Sequence, residues 1–326
     1  YNFLLARENL TDHLPLNKKK DKIRQRLLKI RAKKVIAATG SIERPLIFNN
    51  NDRPGIILSS AIKKYSDYYG VVCGKENILF TNNDSAYETA ISLFNKGIKI
   101  NAIIDIREKV NSEITNHAEK IGIKIYNSYT IVDTSGYRRI KEVSIMKLSK
   151  DGQSVTGSKI KIKCNCLGIS GGWTPAVHLF TQSGGKLKFD NEDNVFIPSK
   201  YPSDQISIGS CNGEFDLNTI IKNFNQNIKN FLGIDKTSFE DLKINSTKEI
   251  LKRNIWLLPS DKAIGKCKPF VDFQNDATAK DIKLALREGF RSIEHVKRYT
   301  TTGMGTDQGK LGNMHALGII SDTSGV

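Results

Sequence analysis

The feature that most constrains the fold lies between residues 77 and 108. An apolar run of strand length, NILFTNND (77–84), is followed by a helix-length segment, SAYETAISLFNKG (85–97), and by a second apolar run, KINAIIDIRE (99–108). Two strands flanking one helix at this spacing form a βαβ unit, in which the helix carries the chain back so that the strands lie parallel. A βαβ unit whose second strand ends in an acid is the frame of a dinucleotide site, where Asp105 would bind the ribose hydroxyls and disfavour a 2′-phosphate. The glycines of that frame are missing. Thr81, Asn82, Asn83, Asp84, Ser85 and Ala86 stand where G-x-G-x-x-G/A is required, and only Ala86 conforms. The second glycine lets a pyrophosphate come against the backbone, whereas Asp84 would set a carboxylate beside it. The unit therefore reads as a retained fold with a weak or altered nucleotide site, and a strand-end acid that is merely solvated is the other reading of Asp105.

Other elements follow from local pattern. KKVIAATG (33–40) is a short strand of small apolar residues ending at Thr39-Gly40. Pro45 and Pro54 forbid a continuing helix, and NNNDRPG (49–55) is dense turn chemistry before a helix from Ser59 to Tyr69. A helix is expected over REKVNSEITNHAEKIG (107–122), then an antiparallel meander of three or more strands up to Gly171-Gly172. DQISIGSCNGEFDLNTIIKNFNQNI (204–228) runs a strand into Gly209, a turn at Asn212-Gly213 and a helix. A strand, a glycine and a helix N-terminus in succession suit an anion, and a close-packed turn needs the same glycine.

Length and composition set bounds. The 326 residues allow about two or three domains with a buried core. No apolar run approaches the roughly 20 residues a membrane span needs. Both ends read as cut from a longer chain. Lys and Arg number 50 against 34 acids, giving +16, yet the densest run, KKKDKIRQRLLKIRAKK (18–34), alternates Leu28, Ile30 and Ala32 with Lys29, Arg31 and Lys33. That is the period of a half-exposed strand, and a solvated hairpin face is preferred over a nucleic-acid surface. Five cysteines without a secretory signal point to free thiols in a reducing, cytoplasmic compartment. Cys164 and Cys166 are the one close pair, and no zinc spacing is completed.

The C-terminal stretch combines two patterns. SFEDLKI, STKEILKRNIW and TAKDIKLALREGFRSIEHVKR read as a small helical unit. Thr278 caps a helix starting near Ala279, with Asp281 in its first turn and an apolar face of Ile282, Leu284, Ala285, Leu286 and Phe290. Asp272 and Asp276 read as caps and turn formers rather than acid–base machinery. Beyond them HVKRYTTTGMGTDQGK (295–310) brings cations, hydroxyls and glycines together. These are the parts of a phosphate cradle and equally those of a surface loop.

Five blocks carry a resemblance: AATGSIERPLIF (37–48), NDRPGIILSSA (51–61), LFTNNDSAYETA (79–90), SGGWTPAVHLFTQSGGKL (170–187) and FVDFQNDATAKDIKLALREGFRSIEHVKRYTTTGMGTDQGK (270–310). Together they resemble the alpha subunits of heterotetrameric sarcosine oxidases, over nearly the whole chain. The resemblance implies an α/β, two-dinucleotide-binding-domain fold of the FAD/NAD-linked reductase type, with an inserted second nucleotide domain and a small helical domain after it. It places residues 1–70 and 166–235 in the first nucleotide domain, 71–165 in the inserted one and 236–300 in the helical one. Residues 301–326 become a flavin-contacting loop and the start of a folate-binding, aminomethyltransferase-like domain.

The resemblance also implies cofactors and partners. NAD would sit on the first domain near Thr39, Gly40 and Gly209. FAD and amine oxidation would belong to a beta subunit, which also anchors an FMN at the alpha–beta junction, and smaller subunits complete the complex. Tetrahydrofolate would bind downstream. Lys297, Arg298, Thr300, Thr301, Thr302, Gly303, Gln308 and Lys310 would form this chain's wall of the FMN site, and no catalytic residue is expected here. Some relatives hold an iron–sulfur cluster on four cysteines in the small domain, where this chain has only Cys267. The implied reaction converts sarcosine to glycine, with hydrogen peroxide and either formaldehyde or methylenetetrahydrofolate. A non-catalytic scaffold for flavoprotein partners, or a subunit acting on another secondary amine, are the competing readings.

Overall fold

The computed structural model describes residues 2–233 and 254–325. The chain divides between Ser41 and Ile42 and again between Thr174 and Pro175. The described residues before 42 and from 175 to 233 form one unit, and those from 42 to 174 and from 254 to 325 form the other. The second unit is thus an insertion in the first, and it also carries the C-terminal helices.

The inserted unit is built on a parallel sheet. In chain order its elements are β1 (Ile56–Leu58), α1 (Ser59–Tyr69), β2 (Glu76–Thr81), α2 (Ser85–Asn95), β3 (Lys99–Asp105), α3 (Glu113–Lys120), β4 (Ile125–Asn127), β5 (Tyr129–Ser135), β6 (Glu142–Leu148), β7 (Val155–Lys163) and β8 (Cys166–Ser170). The sheet order is β1-β8-β2-β3-β4, and every neighbouring pair is parallel. The sheet takes in residues 56–58 and 166–170, on either side of the 71–165 segment expected to form this domain.

Alternation along the strands covers both faces of the sheet. Ile78, Phe80 and Ile104 pack into a core with Ile131, Val143 and Ile145 of the three-stranded antiparallel sheet β7-β6-β5. Leu79 and Ile103, their neighbours in sequence, point the other way to Tyr87, Ala90, Ala118 and Ile123. The result is three layers: helices, parallel sheet, antiparallel sheet. α3 starts later than its pattern suggested, at Glu113. Ser112 and Thr115 close a capping box there, with Thr115 N donating to Ser112 Oγ (3.3 Å) and Ser112 N to Thr115 Oγ1 (3.0 Å).

The C-terminal helices are α4 (Ala279–Arg287), α5 (Ile293–Thr300) and α6 (Asn313–Ser324). α4 starts where its cap predicts, with Thr278 N donating to Asp281 Oδ2 (2.9 Å) and Asp281 N to Thr278 Oγ1 (3.4 Å). Ile282 and Ala285 are buried against Val271, Val296, Ala316 and Ile319, with Leu286 and Phe290 packed alongside. The segment SFEDLKI, and all but the last three residues of STKEILKRNIW, lie outside the described residues.

The other unit contains a hairpin of Asn2–Asn9 with Gln25–Ala32, the basic run's expected setting. Leu28 faces Ala6 and Ile30 faces Leu4, while Lys29 and Arg31 fall on the opposite side. Val35–Ala37 pairs in parallel with Gln205–Ser207, and a helix follows at Leu217–Leu232.

Phe80 is wholly buried and meets Phe48 edge-on, with centroids 5.4 Å apart. Phe80→Ala should destabilise the protein by about 3–5 kcal/mol, read as a lower midpoint in denaturant unfolding. A loss under about 1 kcal/mol would mean that this contact is not core.

Candidate functional site

Three places hold the residues singled out in the sequence. In the first unit, the strands Val35–Ala37 and Gln205–Ser207 run the same way, so Thr39-Gly40 and Gly209 emerge at the same edge. Gly40 and Gly209 both take positive φ, 73° and 75°, and a Cβ on Gly40 would lie 4.0 Å from Ser210 Oγ. The fold therefore brings Thr39, Gly40 and Gly209 together at the C-terminal ends of parallel strands, where α/β sheets hold ligands. Thr39 Oγ1 donates to Ala176 O (2.7 Å). The long helix does not begin at the glycine. A short 3-10 turn, Gly209–Asn212, comes first, and the helix start at Leu217 is capped by its own Asp216, which accepts from Thr219 N (2.8 Å).

In the inserted unit, the C-terminal ends of β2 and β8 are filled by protein. Asn83 donates through Nδ2 to Ser170 Oγ (3.0 Å), and its Oδ1 accepts from Ser85 N (3.1 Å) at the start of α2. Asn82 Nδ2 reaches Asn254 Oδ1 (3.2 Å), and the Trp173 indole donates to Ser85 Oγ (3.1 Å). A glycine-rich turn leaves backbone N–H groups open to an anion. Here side-chain oxygens and an indole occupy that end. Asp105, expected at a ribose, has no exposed surface. Its Oδ1 accepts from Arg107 N (2.9 Å) and Nε (3.1 Å), and its Oδ2 from Tyr87 OH (2.8 Å) and the Arg107 guanidinium (2.8 Å). The same guanidinium pairs with Asp84 at 2.8 Å. Burial, then the Asp105 charge, pushes the Tyr87 phenol far above its ordinary range. Burial works against the Arg107 charge, but the Asp105 and Asp84 carboxylates hold it firmly protonated.

The third place is the loop from 297 to 310. Lys297 and Arg298 lie in the last turn of α5, and Lys310 follows the loop. None of the three has an ion pair or side-chain hydrogen bond among the described residues. Thr300 and Thr302 are buried and hydrogen-bonded inward: Thr300 Oγ1 donates to Val296 O (2.8 Å) and accepts from Thr302 Oγ1 (2.8 Å). Thr301 and Gln308 adopt left-handed backbone, at φ 59° and 55°. For a β-branched residue such as Thr301 this conformation is rare, and its surroundings must impose it.

Those surroundings are the turn joining Phe270–Asp272 to Ala277–Thr278. Asp272 Oδ2 accepts from Gly303 N (2.7 Å), and Oδ1 accepts from Gln274 N (2.9 Å) and Asn275 N (3.0 Å). Asn275 Nδ2 donates to Thr301 O (3.0 Å), and Gln274 Oε1 accepts from Thr306 N (2.6 Å) and Oγ1 (2.7 Å). Burial would raise the pKa of Asp272, but N–H groups from Gly303, Asn275 and Gln274 outweigh it and hold the carboxyl below the usual range. On the other side, a Cβ on Gly303 or Gly309 would fall 2.3 or 2.0 Å from Asn313 Oδ1. Sequence pattern named Asp272 as a turn former. That its turn reaches 31 residues ahead to Gly303 was beyond any local signal.

Other reactive groups are quiet. Burial pushes the Cys164 and Cys166 thiols up to about 12, which suppresses thiolate formation. Burial, with the Arg44 charge adding to it, pulls His315 down to about 4, so it is neutral at pH 7. Among the described residues no three His, Cys, Asp or Glu side chains are grouped to hold a metal, and no helix is long and apolar enough to cross a membrane.

The fold is shared with L-proline dehydrogenase from P. horikoshii, with a TM-score of 0.64 and 19% identity over 92% of this chain and 55% of that one. Sequence similarity is higher to a second group of proteins. The chain is 32% identical to sarcosine oxidase subunit alpha from Corynebacterium sp. (strain P-1), over 100% of this chain and 34% of that protein. It is 33% identical to sarcosine oxidase subunit alpha from Rhizobium meliloti (strain 1021), over 96% of this chain and 30% of that protein. Residues 266–326 match the family model of the sarcosine oxidase A3 domain. The chain is thus similar to sarcosine oxidase alpha subunits along nearly its whole length, and it spans about a third of theirs.

Asp105→Ala would leave the buried Arg107 guanidinium with Asp84 as its remaining carboxylate. A loss of about 3–5 kcal/mol is expected in denaturant unfolding. An unchanged midpoint would show that the Asp105–Arg107 pair does not hold this end of the sheet.

Proposed function

We propose that this chain is the nucleotide- and flavin-bearing part of the alpha subunit of an amine-oxidising complex of the sarcosine oxidase type. The observation that carries the reading is the match to such subunits over the full chain. In the reaction, sarcosine, dioxygen and water yield glycine, formaldehyde and hydrogen peroxide, or the methyl carbon passes to tetrahydrofolate in a downstream domain. The amine is oxidised at FAD in a beta subunit, which this chain contacts together with smaller subunits. Bound flavin supplies electron transfer in such a complex, while this chain supplies binding and orientation.

Two sites divide that work. Thr39, Gly40 and the Gly209 turn hold NAD, supported by their convergence at one end of a parallel strand pair. Lys297, Arg298 and Lys310, with Thr301, Gly303 and Gln308 between them, form one wall of an FMN site. Cations without a side-chain partner among the described residues, and the left-handed backbone, support this, because charge-assisted hydrogen bonds to a phosphate are roughly twice as strong as neutral ones. Thr300 and Thr302 serve the same wall from beneath, shaping the loop through their inward hydrogen bonds. Asp105 holds Arg107 and Tyr87, and in this reading the inserted domain organises the chain without a second dinucleotide.

Co-purification of the full-length chain with its partner subunits should give a flavin absorbance band that bleaches anaerobically on adding sarcosine. A band that sarcosine leaves unchanged would move the substrate to another secondary amine, and the absence of any flavin would favour a scaffold. In the same complex Lys310→Ala with Thr301→Ala should lower the FMN content. Unchanged flavin stoichiometry would remove the loop from the flavin site.

A further inference from the structure

The three cations, which have no side-chain partner among the described residues, flank a loop that could not hold its shape alone. Thr301 is in a conformation its side chain disfavours, and Gly303 needs φ 75°. Asp272, from outside the loop, hydrogen-bonds to the backbone at its centre. Asp272 takes the Gly303 N–H on one oxygen and the Gln274 and Asn275 N–H groups on the other. The neighbouring Asn275 and Gln274 then hold Thr301 O and both Thr306 donors.

The chemistry of this acceptor is specific. A carboxylate offers about four acceptor positions and no donor, and here every partner is an N–H. An asparagine would turn its amide group against one of those N–H groups, and a glutamate would move the oxygens by one methylene in a packed turn. The negative charge is kept from the outer side of the loop, since Asp272 is buried and its oxygens are occupied by donors. A loop held this way loses little conformational freedom when an anion arrives.

We infer that Asp272, assisted by Gln274, is the positioning residue of the flavin wall: it sets the 301–306 backbone so that Lys297, Arg298 and Lys310 present a preformed site to the FMN phosphate. This rests on the reading of the loop as a flavin wall. Asp272 touches neither cofactor nor substrate in this role and takes no part in proton transfer.

The test uses the full-length complex with Asp272→Asn, Gln274→Ala and Lys310→Ala in parallel. Three quantities are read: amide hydrogen exchange of peptides covering 301–306, the FMN:FAD ratio, and the thermal midpoint. Asp272→Asn should speed exchange at Gly303 and its neighbours by about tenfold or more. It should also lower the FMN:FAD ratio toward that of Lys310→Ala, with the thermal midpoint little changed. Gln274→Ala keeps the carboxylate and removes only the Thr306 acceptor, so it should act in the same direction but less. It keeps the test open if Asp272→Asn does not assemble. Unchanged exchange in both turn variants would overturn the inference. So would faster exchange with an unchanged FMN:FAD ratio, provided Lys310→Ala lowers that ratio. If no variant moves the ratio, the flavin-wall reading fails and the inference falls with it.

Discussion

The inserted unit depends on strands that are apolar on both faces. Ile78 and Phe80 point one way from β2 and Leu79 points the other, and all three are fully buried. A sheet of such strands cannot leave either side to water, so it needs two covering layers. Helices α2 and α3 cover one side and the β7-β6-β5 sheet the other. The segments that complete this sandwich come from distant parts of the chain. β1 precedes the βαβ unit, and β8 enters the sheet between β1 and β2 after the whole meander has been made.

That arrangement sets what the strand ends can hold. In a parallel sheet the C-terminal edge collects loops, and with them the polar groups that have no place in the core. In the inserted unit many of those groups bond to one another. Asn82, Asn83, Ser85, Ser170, Trp173 and Asn254 form one hydrogen-bonded set. Asp84, Asp105, Arg107 and Tyr87 form another. A buried charge is tolerable only when paired and hydrogen-bonded, and the Asp105–Arg107 contact meets that condition through several bonds. The inserted unit fills its strand ends with its own side chains, while Lys297, Arg298 and Lys310, which have no side-chain partner among the described residues, gather about the 301–309 loop.

The loop shows how a flexible composition becomes an ordered element. Glycine and threonine at this density would give a mobile chain in isolation. Contacts on two sides remove that freedom. The Asp272 turn binds the loop's backbone donors, and Asn313 fills the space that the missing Cβ atoms of Gly303 and Gly309 leave. Both supports stand on α4 to α6, whose shared core includes Val271, Ile282, Val296 and Ala316.

Much of this was readable from local sequence. Apolar runs and helix periodicity marked β2, α2, β3 and α1, because each pattern reflects a face buried over its whole length. The Thr278 cap located the start of α4, because capping is a contact between neighbours in the chain. Where the glycines are missing after β2, the side chains of Asn82, Asn83 and Ser85 fill the turn. Other features depended on residues far apart in sequence. Arg107 lay in a helical pattern, yet the tertiary structure turns it inward to Asp105 and Asp84, and α3 starts only at Glu113. The place of β8, the closure of the β2 end by Trp173 and Asn254, and the reach of Asp272 to Gly303 were likewise settled by the fold. The sequence by itself determined periodicity, caps and turns, whose energies lie within a few neighbouring residues. Only the tertiary structure decided which polar groups meet, because a buried donor must find its acceptor in space, wherever in the chain that acceptor lies.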